Sequence, residues 1–237
     1  MEIIHDFSLT FDTQSYIDLH GESFARLMAR PGRQVQLQQA IATINDVAAP
    51  VACYESFPIE KFLHDRIKLE NGTMIGGGPV VTVLGGAEVL FVAVCTVGTA
   101  VDHKIKELQA QKKHFQTMLL DELAAAAVDQ VRLQLYQQIK EKQEVNGWRF
   151  STLLSPGEST WSIHDQKTIF NLIDASAIGV TLTASGLMQP LKSLSMIMGA
   201  GSCEMGVEGL TNCDFCTIKD RCLYSRTQSG PPTIQPA

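Results

Sequence analysis

The sequence predicts an α+β fold, a mixed or antiparallel sheet with hairpins packed against helices, followed by a short cysteine-rich metal-binding extension at the C-terminal end. Three observations carry this prediction. Helical periodicity dominates residues 22–47 and 102–142. Alternating or continuous apolar runs mark strands near 80–96 and 178–198. The two textures follow one another irregularly rather than as repeating strand–helix–strand units. With 237 residues the chain can bury a substantial core. The expected division is an α+β domain over 1–200, a cysteine-rich segment over 201–228, and a disordered tail over 229–237 that carries three prolines.

Taken in order, residues 1–20 alternate: Ile4, Asp6, Ser8 and Thr10 fall on one side and His5, Phe7, Leu9 and Phe11 on the other, which suits an opening half-buried strand. From Glu22 to about Val47, Phe24, Leu27, Met28, Val35, Leu37, Ile41 and Ile44 recur at helical spacing, and Pro31-Gly32 splits the run into a short helix and a longer one. The segment Val51–Lys68 is mixed, with a helix expected around Ile59–Asp65. The Gly76-Gly77-Gly78-Pro79 run matches neither phosphate-binding glycine pattern and reads as a loop.

Val80 to Val101 is mostly apolar over about 20 residues, roughly a bilayer's thickness. Gly85-Gly86 and Glu88 interrupt it. A carboxylate there is costly in lipid, so two buried strands, Val80–Leu84 and Val89–Thr96, joined by a Gly-Gly turn are expected instead of a span. Asp102–Lys113 reads as a short helix and Phe115–Lys142 as a long one, stopped by Asn146-Gly147. A loop over Trp148–Ser159 centres on Ser155-Pro156-Gly157. Ser162-Ile163-His164-Asp165 then resembles a capping box opening a helix through Ile173. Ile178–Thr183 and Lys192–Met198 alternate and are expected to pair as an antiparallel hairpin.

Composition limits function. A net charge of −6 argues against a sequence-independent grip on nucleic acid. The start Met1-Glu2-Ile3-Ile4-His5-Asp6 lacks the basic and apolar regions of a secretory signal, so a cytoplasmic setting with reduced thiols is expected, without nucleic acid or membrane partners. Four cysteines then stand out. Cys213, Cys216 and Cys222 are spaced C-x2-C-x5-C, and Cys203 lies ten residues before Cys213. A C-x2-C pair brings two thiolates to one side of a turn, and further cysteines can close the shell around zinc or an iron–sulfur cluster. The spacing matches neither uniquely, and redox or merely buried thiols remain an alternative. Cys53 and Cys95, in apolar runs, are expected in the core.

Three further blocks carry a family resemblance. They are Phe91-Val92-Ala93-Val94-Cys95-Thr96-Val97-Gly98 followed by Leu119-Leu120-Asp121-Glu122-Leu123-Ala124; Ser155-Pro156-Gly157 with Trp161 beyond it; and Ile178 to Ser193, with its Leu182-Thr183, Ser185, Met188-Gln189-Pro190 and Lys192-Ser193. Together, over roughly residues 55–200, they resemble the activation (reactivation) domain of cobalamin-dependent methionine synthase and its free-standing relatives. The resemblance implies S-adenosylmethionine binding and docking on a corrinoid-binding protein or methyltransferase, whose cobalt is re-methylated after drifting to Co(II). It carries over Ser155, Pro156 and Gly157 as cofactor-binding candidates; Glu158, a carboxylate placed to pair with a sulfonium or amino group, and Thr183, Ser185 and Lys192 of the third block complete the candidate set. Family members place a Tyr after this glycine and an Arg shortly before the turn; here Glu158 follows Gly157, and the nearest upstream Arg is Arg149.

The corrinoid chemistry also favours a [4Fe–4S] cluster over zinc on Cys203, Cys213, Cys216 and Cys222, because Co(II) needs an electron. Asp214, Lys219, Asp220 and Arg221 would form a rim for a redox partner. Two other readings stand beside this one: a non-catalytic corrinoid-protein binding or assembly module with structural zinc, and an enzyme using a pocket near Thr183, Ser185 and Lys192 on an unrelated small molecule.

Overall fold

A computed structural model describes residues 1–144, 147–158, 160–206 and 212–215. The elements run β1 (Glu2–Ile4), α1 (Thr13–Leu19), α2 (Gly21–Met28), α3 (Arg33–Val47), β2 (Val51–Phe62), β3 (Ile67–Leu69), β4 (Met74–Ile75), α4 (Val80–Leu84), β5 (Val89–Thr96), α5 (Thr99–Ala110) and α6 (His114–Glu144). After these come β6 (Arg149–Phe150), α7 (Gln166–Leu172), β7 (Thr181–Leu182), β8 (Met188–Gln189) and β9 (Ser193–Gly201), with 3-10 turns at Ile163–Asp165, Ala175–Ile178 and Asn212–Phe215.

β5 is the middle of the sheet because both of its edges are used. β2 pairs along one edge from Val51↔Thr96 to Pro58↔Val89, and β9 along the other from Val89↔Ala200 to Thr96↔Ser193, both antiparallel. The strand order is β4-β3-β2-β5-β9-β6, with β1 on the outer edge of β2. The fold is therefore α+β with an antiparallel sheet packed against helices, as the sequence predicts.

Both faces of the central strands are buried, which explains their nearly continuous apolar sequence. Ala52, Tyr54, Phe91, Ala93, Cys95, Met196 and Met198 face a core made with α1, α2, α3, α5 and α6. The alternate residues Cys53, Leu90, Val92, Val94 and Ile197 face a second core with α4, α7, Trp161 and the 175–178 turn. Cys53 and Cys95 lie in these cores as expected, and burial pushes their thiols up to about 11 and about 12. Iodoacetamide applied to the folded, metal-free protein should therefore leave both unlabelled and reach them only after unfolding, while exposed Cys203 reacts; peptide mass mapping checks this.

Three expectations are corrected. Val80–Leu84 is a helix, not a strand. Since β2 and β9 occupy both edges of β5, no edge is left for a hairpin partner there. The buried residues Val80, Val83 and Leu84 instead follow i, i+3, i+4 spacing, with Pro79 at the N-cap. The helix expected at Ile59–Asp65 is the end of β2, which changes partner at Pro58. Up to that residue it pairs with β5, and beyond it, through a register shift between Ile59 and Lys61, with β3. Finally, the expected hairpin between Ile178–Thr183 and Lys192–Met198 does not form. β7 pairs with β8 within a smaller ribbon, closed by Thr183 N–H to Leu187 O at 2.8 Å, and β9 is left to pair with β5 and β6.

The opening strand is present but covers only Glu2–Ile4, and Thr13–Leu19 is helical under an N-cap from Asp12. The helices split at Pro31-Gly32 as expected, and α5 and α6 lie within a few residues of their predicted bounds. No helix of the described residues is long and apolar enough to cross a membrane. The predicted tail over 229–237 lies outside the described residues.

Two clasps tie the N-terminal part to α6. Tyr16 Oη donates to Glu122, and His20 Nε2 stands 3.2 Å from the same carboxylate. Glu2 accepts from Lys142 Nζ at 2.5 Å and from Tyr54 Oη at 2.9 Å. The Lys142 hydrogen bond, then that of Tyr54, holds the Glu2 carboxyl below its usual 4.5. A lowered carboxylate value means that this stability is present above the unfolded value and is lost as pH falls through the folded one. The clasp is exposed, so the expected effect is a small fall in melting temperature below about pH 4.5, absent in Glu2→Gln and reduced by salt.

Candidate functional site

The Ser155-Pro156-Gly157-Glu158 stretch is a tight turn on the second face of the sheet. Leu154 bridges to Ile197 of β9 and places Ser155 at the sheet's surface. Glu158 N–H then closes on Ser155 O at 3.1 Å, Gly157 N–H donates to Trp161 O at 3.0 Å, and Trp161 N–H returns to Glu158 O at 3.1 Å. Gly157 has φ of +92°, a backbone conformation that favours glycine, and a Cβ there would also have to push aside the Ile163 Cδ1 tip 2.8 Å away.

Trp161, only 2% exposed, anchors this turn. Its indole N–H donates to Asp165 Oδ2 at 2.8 Å, and the same oxygen accepts Gly76 N–H at 3.1 Å. Arg66 Nη1 lies 3.7 Å from Asp165 Oδ1, and the Arg66 side chain is 38% exposed. Asp165 therefore does not act as the reciprocal half of a capping box; its carboxylate joins three loops. Ser162 does cap the turn, accepting His164 N–H at 3.3 Å.

The glycine run, read from sequence as a plain loop, is the other wall. Gly77 lies against the Trp161 ring, and a Cβ on Gly78 would sit 2.8 Å from both Thr160 C and Trp161 N. The chain at 76–78 is thus glycine because two backbones meet there. Two buried polar atoms near this junction in sequence, Ser155 Oγ and Gln166 Oε1, have no hydrogen-bond partner among the described residues.

The other predicted binding residues lie in a separate part of the fold. Thr183 and Ser185 share a hydrogen bond of 2.9 Å in the β7–β8 turn, and Thr183 Oγ1 also accepts Leu187 N–H. Lys192 reaches back to α6, 2.9 Å from Asp121 Oδ1, while Asp102 of α5 accepts Leu191 N–H at 2.7 Å. Thr183 and Ser185 thus close the ribbon's own turn, while Lys192 and the Leu191 amide fasten the chain after it to the helical layer. An open cleft of about 420 Å³ adjoins the ribbon, lined by Lys167, Phe170, Asp174, Val180, Thr181 and Leu182 among others. None of Thr183, Ser185 and Lys192 lines it.

Arg149 is paired with Glu204 at 2.6 Å, beside the cysteine segment. Arg66 is the guanidinium joined to the Ser155 turn through Asp165. Sequence reasoning missed it because a positively charged residue 89 positions from the turn carries no local signal.

Beyond β9 the chain folds back on α4. Ser202 N–H donates to Glu88 at 2.8 Å, and Gly206 N–H to Gly85 O at 2.9 Å. A Cβ on Gly206 would lie 2.6 Å from Val83 O, so this return is built on glycine too. Cys203 is exposed on it. The 3-10 turn Asn212–Phe215 contains Cys213, and Phe215 packs against the core that holds Trp161. Cys216, Cys222 and the side chain of Cys213 lie outside the described residues, and among the described residues no three potential ligands gather around a metal position.

An antiparallel sheet between two cores, closed on one side by the Ser155 turn and the triple-glycine loop, defines the class of domain. A solved structure with this fold is the crystal structure of the MetH reactivation domain bound to AdoHcy: TM-score 0.56, 16% sequence identity, covering 88% of this chain and 77% of that one. At that identity the likeness establishes the fold. No protein-family model and no curated protein matches the chain.

Proposed function

We propose that the chain activates a corrinoid protein: it binds S-adenosylmethionine at the Ser155–Glu158 turn and docks on a partner that carries the corrinoid. The observation that carries this reading is the shared fold with a reactivation domain bound to AdoHcy, together with the Ser155-Pro156-Gly157 turn. Arg66 supplies the cationic group for the ligand's carboxylate, in place of the arginine that the resemblance puts just before the turn. The turn's backbone and Ser155 add polar contacts, and Trp161 with Asp165 holds the turn in shape.

Cys203, Cys213, Cys216 and Cys222 are the proposed ligands of a [4Fe–4S] cluster. Four thiolates suit such a group, and Phe215, which lies between Cys213 and Cys216 in sequence, packs on the second core. When bound, the cluster supplies one electron. The substrate cobalt goes from Co(II) to Co(I) and takes the methyl group from the sulfonium, which leaves as S-adenosylhomocysteine. No general base is needed; the chain's own residues position donor and partner. Thr183, Ser185 and Lys192 act by holding the β7–β8 ribbon.

The test is methyl transfer. Under argon, with a corrinoid methyltransferase in its Co(II) state, methyl-labelled S-adenosylmethionine and a low-potential donor, label should pass to the corrinoid; label that stays in the donor overturns the reading. A second reading, a corrinoid-protein assembly module with structural zinc, uses the same four thiolates. Metal and acid-labile sulfide analysis of anaerobically purified protein separates the two, since zinc without sulfide removes electron transfer. Ser155→Ala offers a further check. It deletes a buried hydroxyl without a partner among the described residues, so the melting temperature should hold or rise, while AdoHcy affinity measured by calorimetry falls by about fivefold to tenfold.

A further inference from the structure

Residues 5–12 belong to no strand or helix, yet their backbone is tied to α6 by a regular row of glutamine side chains. Gln130 accepts Thr10 N–H at 3.0 Å and donates to Thr10 O at 2.8 Å. Gln134 does the same with Ser8, at 3.0 and 2.8 Å, and Gln138 donates to Asp6 O at 2.9 Å. Each carboxamide presents one acceptor and one donor, as a neighbouring strand's peptide group would.

The spacing follows from helix and strand geometry. Four residues of helix rise about 6 Å and two residues of extended chain about 6.6 Å, so glutamines at i, i+4 and i+8 stay in step with alternate residues of an antiparallel segment. The intervening residues of the segment, Phe7, Leu9 and Phe11, pack against the first core, to which α6 contributes the buried row Ala127, Val131, Leu135 and Ile139. Every glutamine bond goes to main chain, so the row reads an extended backbone and leaves identity to the apolar positions.

We propose that Gln130, Gln134 and Gln138 of α6 form a recognition site for an extended peptide with apolar residues at alternate positions, which residues 5–12 fill in cis. The glutamine bonds are solvent-exposed and the three apolar side chains only partly buried, so the segment is held as a tethered ligand that another peptide of the same pattern can replace. This site is independent of the Ser155 turn.

The test uses the full chain carrying Phe7→Ser and Leu9→Ser, which unseats the segment, and a fluorescent synthetic peptide spanning residues 4–12. Saturable 1:1 binding by anisotropy is expected. Gln134→Ala should weaken it about tenfold, through loss of two bonds. The peptide with Ser8→Pro and Thr10→Pro, lacking both amide donors, should fail to bind. A peptide with Ser8→Thr and Thr10→Ser should bind as well as the parent. Absent binding, or binding indifferent to Gln134→Ala, overturns the proposal. If the unseated variant does not fold, hydrogen exchange on the unaltered chain decides. Saturating synthetic peptide should displace the segment and raise exchange at the chain's own Ser8 and Thr10 amides, which Gln134 and Gln130 hold; exchange unchanged by the peptide overturns the proposal.

Discussion

Trp161→Ala should destabilise the protein by about 3–5 kcal/mol in urea unfolding, the range for removing a fully buried large aromatic side chain. The ring fills the second core that also holds Leu154 and Ile169, against the triple-glycine loop, and its N–H is one of the two donors to Asp165 Oδ2. Asp165→Asn is the informative companion. Asn can turn its oxygen to the Trp161 and Gly76 donors, but its N–H₂ then faces the Arg66 guanidinium where Oδ1 stood and the charge is gone, so a loss of about 1–3 kcal/mol is expected. The two changes act on one network, and the double variant should lose less than the sum. Additive losses would show that Asp165 and Trp161 are not coupled.

Gly78→Ala should cost about 2–4 kcal/mol, combining left-handed backbone strain with overpacking against a neighbouring main chain. The φ of +54° is in the region that side chains adopt poorly, and the added Cβ meets backbone atoms of Thr160 and Trp161 at 2.8 Å. Backbone atoms cannot swing aside as a side chain tip does, so the 76–78 loop and the Ser155 turn must separate. Affinity for AdoHcy should fall in the same variant by more than the roughly fivefold to tenfold expected for Ser155→Ala, because the whole turn moves. Gly72→Ala is the control: its φ is also positive, +85°, but nothing lies within 4 Å, so strain alone remains.

The sequence made the helical layer legible because its signals are local. Pro31-Gly32 separates α2 from α3, and helical spacing of apolar residues outlines α5 and α6. The sheet was harder, since a strand's neighbours are chosen by the whole fold. Val80–Leu84 and Val89–Thr96 are equally apolar, and only the prior claim of β2 and β9 on the edges of β5 makes the first a helix. Likewise, nothing local to Ile178–Thr183 says that Thr183 will turn back onto Leu187 before β9 begins. At the candidate site the motif placed Ser155, Pro156 and Gly157, whereas Arg66, Asp165 and the glycine run meet them only through tertiary contacts. The alternation of residues 1–20 was visible in the sequence, but its partner turned out, past Ile4, to be a row of helix side chains rather than another strand.

Central to the proposed function is an adenosyl ligand seated at the Ser155 turn. Titrating ¹⁵N-labelled protein with S-adenosylhomocysteine tests it residue by residue. The expected result is saturable 1:1 binding, with amide shifts at Gly76, Gly77, Gly157, Glu158 and Trp161, abolished or strongly weakened in Arg66→Ala. Spectra unchanged at millimolar ligand, or shifts confined to the cleft between α7 and β7, would contradict it.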